Sequence, residues 1–87
     1  MMYQVIYTAK ALKSLSKIDK SQAKIIINWI EKNLINCENP RFTGKAIKGN
    51  LADWRYRIGN YRILCNISDE KIQIKIINVG HRKDIYK

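Results

Sequence analysis

The sequence predicts one α+β domain over residues 1–87, of order β-α-α-β-β-β. The expected architecture is a small antiparallel sheet with two N-terminal helices packed on one face. Three observations predict it. Apolar residues fall at helical spacing between residues 9 and 35. From residue 53 the apolar period changes to two. With 87 residues, 46% of them hydrophobic, the chain can fill one small core but not two.

Each element has a local reason. Residues 2–7 are rich in Tyr, Val and Ile and alternate loosely, which reads as a strand. Thr8 can cap a short helix over 9–16, with Leu12 and Leu15 on one face. Asp19 followed by Gln22 resembles a capping box for a second helix over 20–35. Ala23, Ile26, Ile27, Ile30 and Leu34 form its apolar stripe, and Asn36 to Pro40 ends it. Residues 41–52 read as a loop broken by Gly44, Gly49 and Asn50. Trp54, Tyr56 and Ile58 then alternate with Asp53, Arg55 and Arg57. Gly59-Asn60 reads as a two-residue hairpin turn in which both residues accept positive φ. Tyr61, Ile63, Cys65 and Ile67 continue the alternation, and Ser68-Asp69-Glu70 turns the chain again. Residues 71–79 read as a central, Ile-rich last strand, and 80–87 as a polar tail. Trp54 and Ile30 are expected to be structural.

Charge is the unusual feature. Seventeen Lys and Arg stand against seven Asp and Glu, a formal charge of +10 at pH 7. Such an excess favours an anionic partner: nucleic acid, an anionic membrane surface or an acidic protein. No apolar run approaches the ~20 residues of a membrane span, so a membrane is not expected as a partner. The start lacks the basic and apolar regions of a signal peptide, and no lipidation motif is present. With only Cys37 and Cys65, the expectation is a cytoplasmic protein with reduced thiols.

Several chemistries find no support. Cys37, Cys65 and His81 lack metal-ligand spacing, so neither a metal site nor a cofactor is expected. Cys65 reads as a core residue. Gly44-Lys45 lacks the spacing of a phosphate loop. The basic residues are more informative. Lys45, Lys48, Arg55, Arg57 and Arg62 crowd residues 43–62 against one acid, Asp53. Arg55 and Arg57 share a strand face, and Arg62 can lie beside them across the turn. Alternation alone also fits a solvated polar face, but guanidinium forks match phosphate oxygens bidentately. Near the chain's end, His81, Arg82, Lys83 and Tyr86 add an acid–base group, two cations and a phenol within six positions.

Two segments carry a resemblance. Trp54-Arg55-Tyr56-Arg57-Ile58-Gly59-Asn60-Tyr61-Arg62-Ile63-Leu64, followed by Val79-Gly80-His81-Arg82-Lys83-Asp84-Ile85-Tyr86, resembles the signature of RelE/ParE-type bacterial toxins. Tyr3 to Tyr7 with Ala11 to Leu15 resembles the family opening, so the likeness spans essentially the whole chain. It implies the toxin of a type II toxin–antitoxin pair. RelE members are ribosome-dependent endoribonucleases that cut mRNA in the A site, and ParE members act on DNA gyrase without a nuclease site. The resemblance places the active face on Arg55, Arg57, Arg62, Arg82 and Tyr86 and favours RelE action; Lys45, Lys48 and Lys83 are expected to bind RNA beside it. The implied partners are the ribosome, mRNA and an acidic RelB-like antitoxin. The strand positions filled by Arg55 and Arg57 are often Lys in the family, where a lysine is a candidate base. Arginine stays protonated, so the expected proton-transfer group here is His81.

Overall fold

The computed structural model describes residues 2–49 and 51–85. The chain runs β1 (Gln4–Tyr7), α1 (Ala9–Lys17), α2 (Lys20–Asn33), β2 (Lys45–Ala46), β3 (Trp54–Ile58), β4 (Tyr61–Ser68) and β5 (Gln73–His81). The strands form one sheet in the order β1-β5-β4-β3-β2. The expected meander is β3, β4 and β5; β5, expected to be central, is an interior strand between β1 and β4, and β4 holds the middle of the sheet.

Two expectations about strand pairing are corrected. The sheet is not wholly antiparallel, because β1 pairs with β5 in parallel, Val5 opposite Ile74 and Tyr7 opposite Ile76. The two helices supply part of the long crossover that a parallel pair needs. Alternation looks the same beside a parallel or an antiparallel neighbour, so the sequence pattern did not fix the direction. Residues 41–52 are not all loop either, since Lys45 and Ala46 pair with Arg55 and Trp54. A two-residue strand has no period to read.

The helix boundaries follow their caps. Thr8 Oγ1 accepts the Ala11 N–H at 3.1 Å and donates towards the carbonyls of Ile76 and Ile77, tying the start of α1 to β5. Asp19 caps α2 by accepting the Ser21 N–H at 3.2 Å. Asn36, with φ 62°, turns the chain out of the last helical turn. The β4–β5 turn is longer than expected, because Ile72 takes φ 52° and β5 starts only at Gln73. Its far end reaches into the expected tail, with Gly80 and His81 paired to Arg62 and Tyr61.

The core lies between the helices and one face of the sheet. Ala11, Leu15, Ile26, Ile30 and Leu34 pack against Tyr56, Ile63, Cys65, Ile67, Ile74, Ile76 and Val79. Trp29 of α2 rests on Tyr56 with ring centroids 5.4 Å apart. Trp54 is partly buried, and its Nε1–H donates to the Thr43 carbonyl at 2.9 Å. Ile30 is fully buried. We expect Ile30→Ala to cost about 2–5 kcal/mol through the cavity it leaves. Chemical denaturation measures this, and an unchanged midpoint would contradict the packing described.

Candidate nucleic-acid interface

The site is built by strand register. Residues directly opposite in an antiparallel pair project from the same face. Arg57 is opposite Arg62, Arg55 is opposite Leu64, and Lys45 is opposite Arg55. Lys45, Arg55, Arg57 and Arg62 therefore share the face turned away from the helices. The Gly59-Asn60 turn sets this register. Only Gly59 takes positive φ, at 57°, the pattern of a type II′ turn, whereas both residues were expected to.

Like charges placed directly opposite each other destabilise a sheet. Arg62 is accommodated by its surroundings. It is 7% exposed, and its NH1 donates to the carbonyls of Gly59 at 3.2 Å and Tyr61 at 3.1 Å. Arg57 is exposed and Arg55 half-buried. Arg62 is thus a fixed charge at the hairpin end, and Arg57 a charge presented to solvent.

The segment after β5 is stapled to the same hairpin. The Arg82 N–H donates to the Asn60 carbonyl at 2.7 Å, and the N–H groups of Asp84 and Ile85 return to the His81 carbonyl. Ile85 is buried against Gly80, where an added Cβ would lie 3.0 Å from its Cδ1. Gly80 is opposite Arg62, so this turn folds over the arginine face. The backbone of Arg82 is held there while its side chain stays exposed. Lys83 is also exposed on the turn, and Lys48 lines a groove on the same face beside Leu64. Tyr86 lies outside the described residues.

His81 is placed differently. It is opposite Tyr61, which packs towards the core, and the two rings meet edge to face at 5.5 Å. By register it projects from the helix side of the sheet, not the arginine side. Its Nδ1 accepts the Lys83 N–H at 3.2 Å, which leaves the proton of the neutral ring on Nε2. The imidazole therefore braces the turn that carries Arg82. Tyr56, the buried phenol behind Arg55 and Arg57, donates to the Pro40 carbonyl, and burial raises its pKa. It is a locked donor rather than a base.

A cavity of about 180 Å³ opens at the outer edge of β3, lined by Trp29, Thr43, Gly44 and Lys45 together with Arg55, Tyr56 and Arg57. The sequence reading did not single out Trp29 or Thr43, and it took Gly44 only as a loop breaker without phosphate-loop spacing. Gly44 was the available signal, as a glycine just before a cationic position. It takes φ 86°, and a Cβ there would collide with the Arg55 carbonyl and lie 2.6 Å from Trp54 Nε1. Among the described residues, no three His, Cys, Asp or Glu side chains converge on a point that could hold a metal ion. No described helix is long and apolar enough to cross a membrane.

A mixed sheet with two helices on one face and clustered arginines on the other matches what the RelE/ParE resemblance implied, and comparison with known proteins agrees. The family model for the ParE toxin of type II toxin–antitoxin systems matches residues 5–86, and the chain belongs to that family. It is 32% identical over 88 residues to Toxin RelG of Mycobacterium tuberculosis, covering all of this chain and 99% of the relative. Toxin RelE of the same organism is 28% identical, with 98% of this chain and 87% of the relative covered. Among solved structures, the RelBE2 toxin–antitoxin complex of M. tuberculosis superposes with a TM-score of 0.82 at 27% identity, over 97% of this chain and 95% of that one. A free-state mutant of the Escherichia coli toxin RelE shares the fold, with a TM-score of 0.76 at 22% identity, over 99% and 90%.

The two opposed arginines should respond differently to truncation. Arg62→Ala removes packing and leaves two carbonyls short of a donor, at a cost of about 1–3 kcal/mol. Arg57→Ala removes an exposed charge facing a like charge, and should change stability by under ~0.5 kcal/mol or raise it slightly. Thermal unfolding of both variants checks this, and equal losses would contradict the assignment of fixed and presented charges.

Proposed function

We propose that this toxin is a ribosome-dependent endoribonuclease that cleaves mRNA in the A site without a metal and is neutralised by an acidic RelB-like antitoxin. The observation that carries the reading is the pairing of Arg57 with Arg62 on the face that also bears Arg55, beside the turn that holds Arg82. Such a face gathers positive charge at one place, and a phosphate fits guanidinium forks. The solved relatives in complex with RelB-type antitoxins support the partner, and opposite charge would speed that association.

In this reaction the RNA 2′-oxygen attacks the adjacent phosphorus and the bond to O5′ breaks. The products are a 2′,3′-cyclic phosphate and a 5′-hydroxyl. Arg62 supplies fixed positive charge to the phosphorane, and Arg57 and Arg55 hold the phosphate. Arg82 adds a clamp from the turn, and Tyr86 stacks on or orients the nucleotide. Lys45, Lys48 and Lys83 contact flanking phosphates. All of the arginines remain protonated, so their part is charge stabilisation. His81 could accept a proton only at Nδ1, by giving up the Lys83 N–H. In this reading it positions Arg82, the 2′-hydroxyl proton leaves to water, and water returns a proton to the departing O5′.

One observation favours a second reading. The matching family model is that of the ParE toxin, and the resemblance implies DNA gyrase as the target of ParE action. Purified protein added to programmed ribosomes, alongside a gyrase supercoiling assay, separates the two. We expect mRNA ends within the A-site codon, carrying cyclic phosphate, and unimpaired gyrase. Intact mRNA with inhibited gyrase would establish the second reading instead. Arg82→Ala should lower single-turnover cleavage on saturated ribosomes by about 10²–10³. Its folding stability should change by under ~1 kcal/mol, because the side chain is exposed.

A further inference from the structure

The cavity at the outer edge of β3 shares Lys45, Arg55 and Arg57 with the mechanism above, but its aromatic wall, Trp29, has no part there. It exists because β2 is two residues long. Lys45 and Ala46 cover Arg55 and Trp54, and past them β3 continues to Arg57 with no partner strand on that side. The chain before Lys45 turns away through Gly44, at the φ of 86° that only a residue without a side chain takes easily. The opening so left has an aromatic wall and a cationic rim. Trp29 is half-buried, supported from behind by Tyr56, and lines the cavity. Lys45 and Arg57 are exposed at its mouth, and among the described residues neither has an ion-pair partner.

An aromatic wall next to two uncompensated cations suits one kind of ligand. An unpaired nucleotide presents a flat base for stacking and a phosphate for the cations. A duplex hides its base faces, and a bare anion has no use for the indole. We propose that this cavity is a subsite for one unpaired nucleotide of single-stranded RNA, its base against Trp29 and its phosphate between Lys45 and Arg57. The inference rests on the reading that the substrate is RNA. Because Arg57 belongs to both the cavity and the arginine face, the nucleotide held here lies beside the scissile phosphate. The subsite would thus grip the message one step away from the cut and contribute base preference through stacking.

The test uses the full chain labelled with ¹⁵N-tryptophan, whose two indole signals are assigned with Trp29→Phe. The titrant is a hexamer of 2′-O-methyl adenosine, which lacks the attacking hydroxyl. The controls are an abasic hexamer with the same backbone, and inorganic phosphate. We expect the Trp29 indole to shift saturably with the adenosine hexamer and to stay in place with both controls. Lys45→Ala, on an exposed side chain, should weaken the hexamer roughly tenfold with unchanged melting temperature. An unmoved Trp29 signal at saturation overturns the proposal. So does an equal shift with the abasic hexamer or phosphate, which would mean an anion site alone, or an unchanged affinity in Lys45→Ala. Ribosomal cleavage is measured on the same preparation. Cleavage with an unmoved Trp29 removes the subsite and leaves the enzyme, whereas a shifted Trp29 without cleavage removes the enzyme and leaves the subsite.

Discussion

The β3–β4 register is the constraint on which the rest of the molecule depends. Side chains alternate with a period of two, so a slip of one residue would exchange the two faces of a strand. In the observed register, Tyr56 opposite Ile63 and Trp54 opposite Cys65 supply the core, while Arg57 opposite Arg62 supplies the basic face. The same pairing thus fixes folding and charge placement together. It is set at one point, where Gly59 takes the positive φ that the tight turn demands. The core enforces it, since a slip would bury guanidiniums under α2.

That register has a cost, met locally. Arg62 is nearly buried against a second guanidinium, an arrangement a sheet would ordinarily avoid. Two carbonyls of the hairpin end take its donors, and the turn after β5 folds over the same face. The hairpin end is therefore more than a connection. It holds Arg62 through the Gly59 carbonyl and Arg82 through the Asn60 carbonyl, so two cations from different parts of the chain refer to one rigid turn.

Much of this was legible in the sequence because it follows from period. The change from helical spacing to alternation located the helices and the meander, and alternation put Arg55 and Arg57 on one face. The likeness of the Trp54–Leu64 and Val79–Tyr86 segments added the family. What stayed hidden depends on pairing rather than period. The parallel β1–β5 contact joins residues about 70 positions apart and leaves no local mark. The β2 strand is too short to show alternation. The face taken by His81 followed from its pairing with Tyr61, which could not be read while residues 80–87 passed for a tail. The cavity beside Trp29 needs a helix, a loop and a strand edge at once.

The placement of His81 bears on why such a molecule would act on the ribosome. A face built from arginines can stabilise charge on a phosphorane, but it cannot remove a proton. The imidazole is turned to the other side of the sheet, and its Nδ1 is occupied by the Lys83 N–H. Free RNA rarely holds its 2′-oxygen in line with the departing O5′, and charge stabilisation alone does not impose that alignment. Under the proposed reading, the substrate must arrive already bent. A decoding centre that fixes a codon would supply the alignment, and the toxin the charge. On that reading, orientation and electrostatic stabilisation would be divided between two partners.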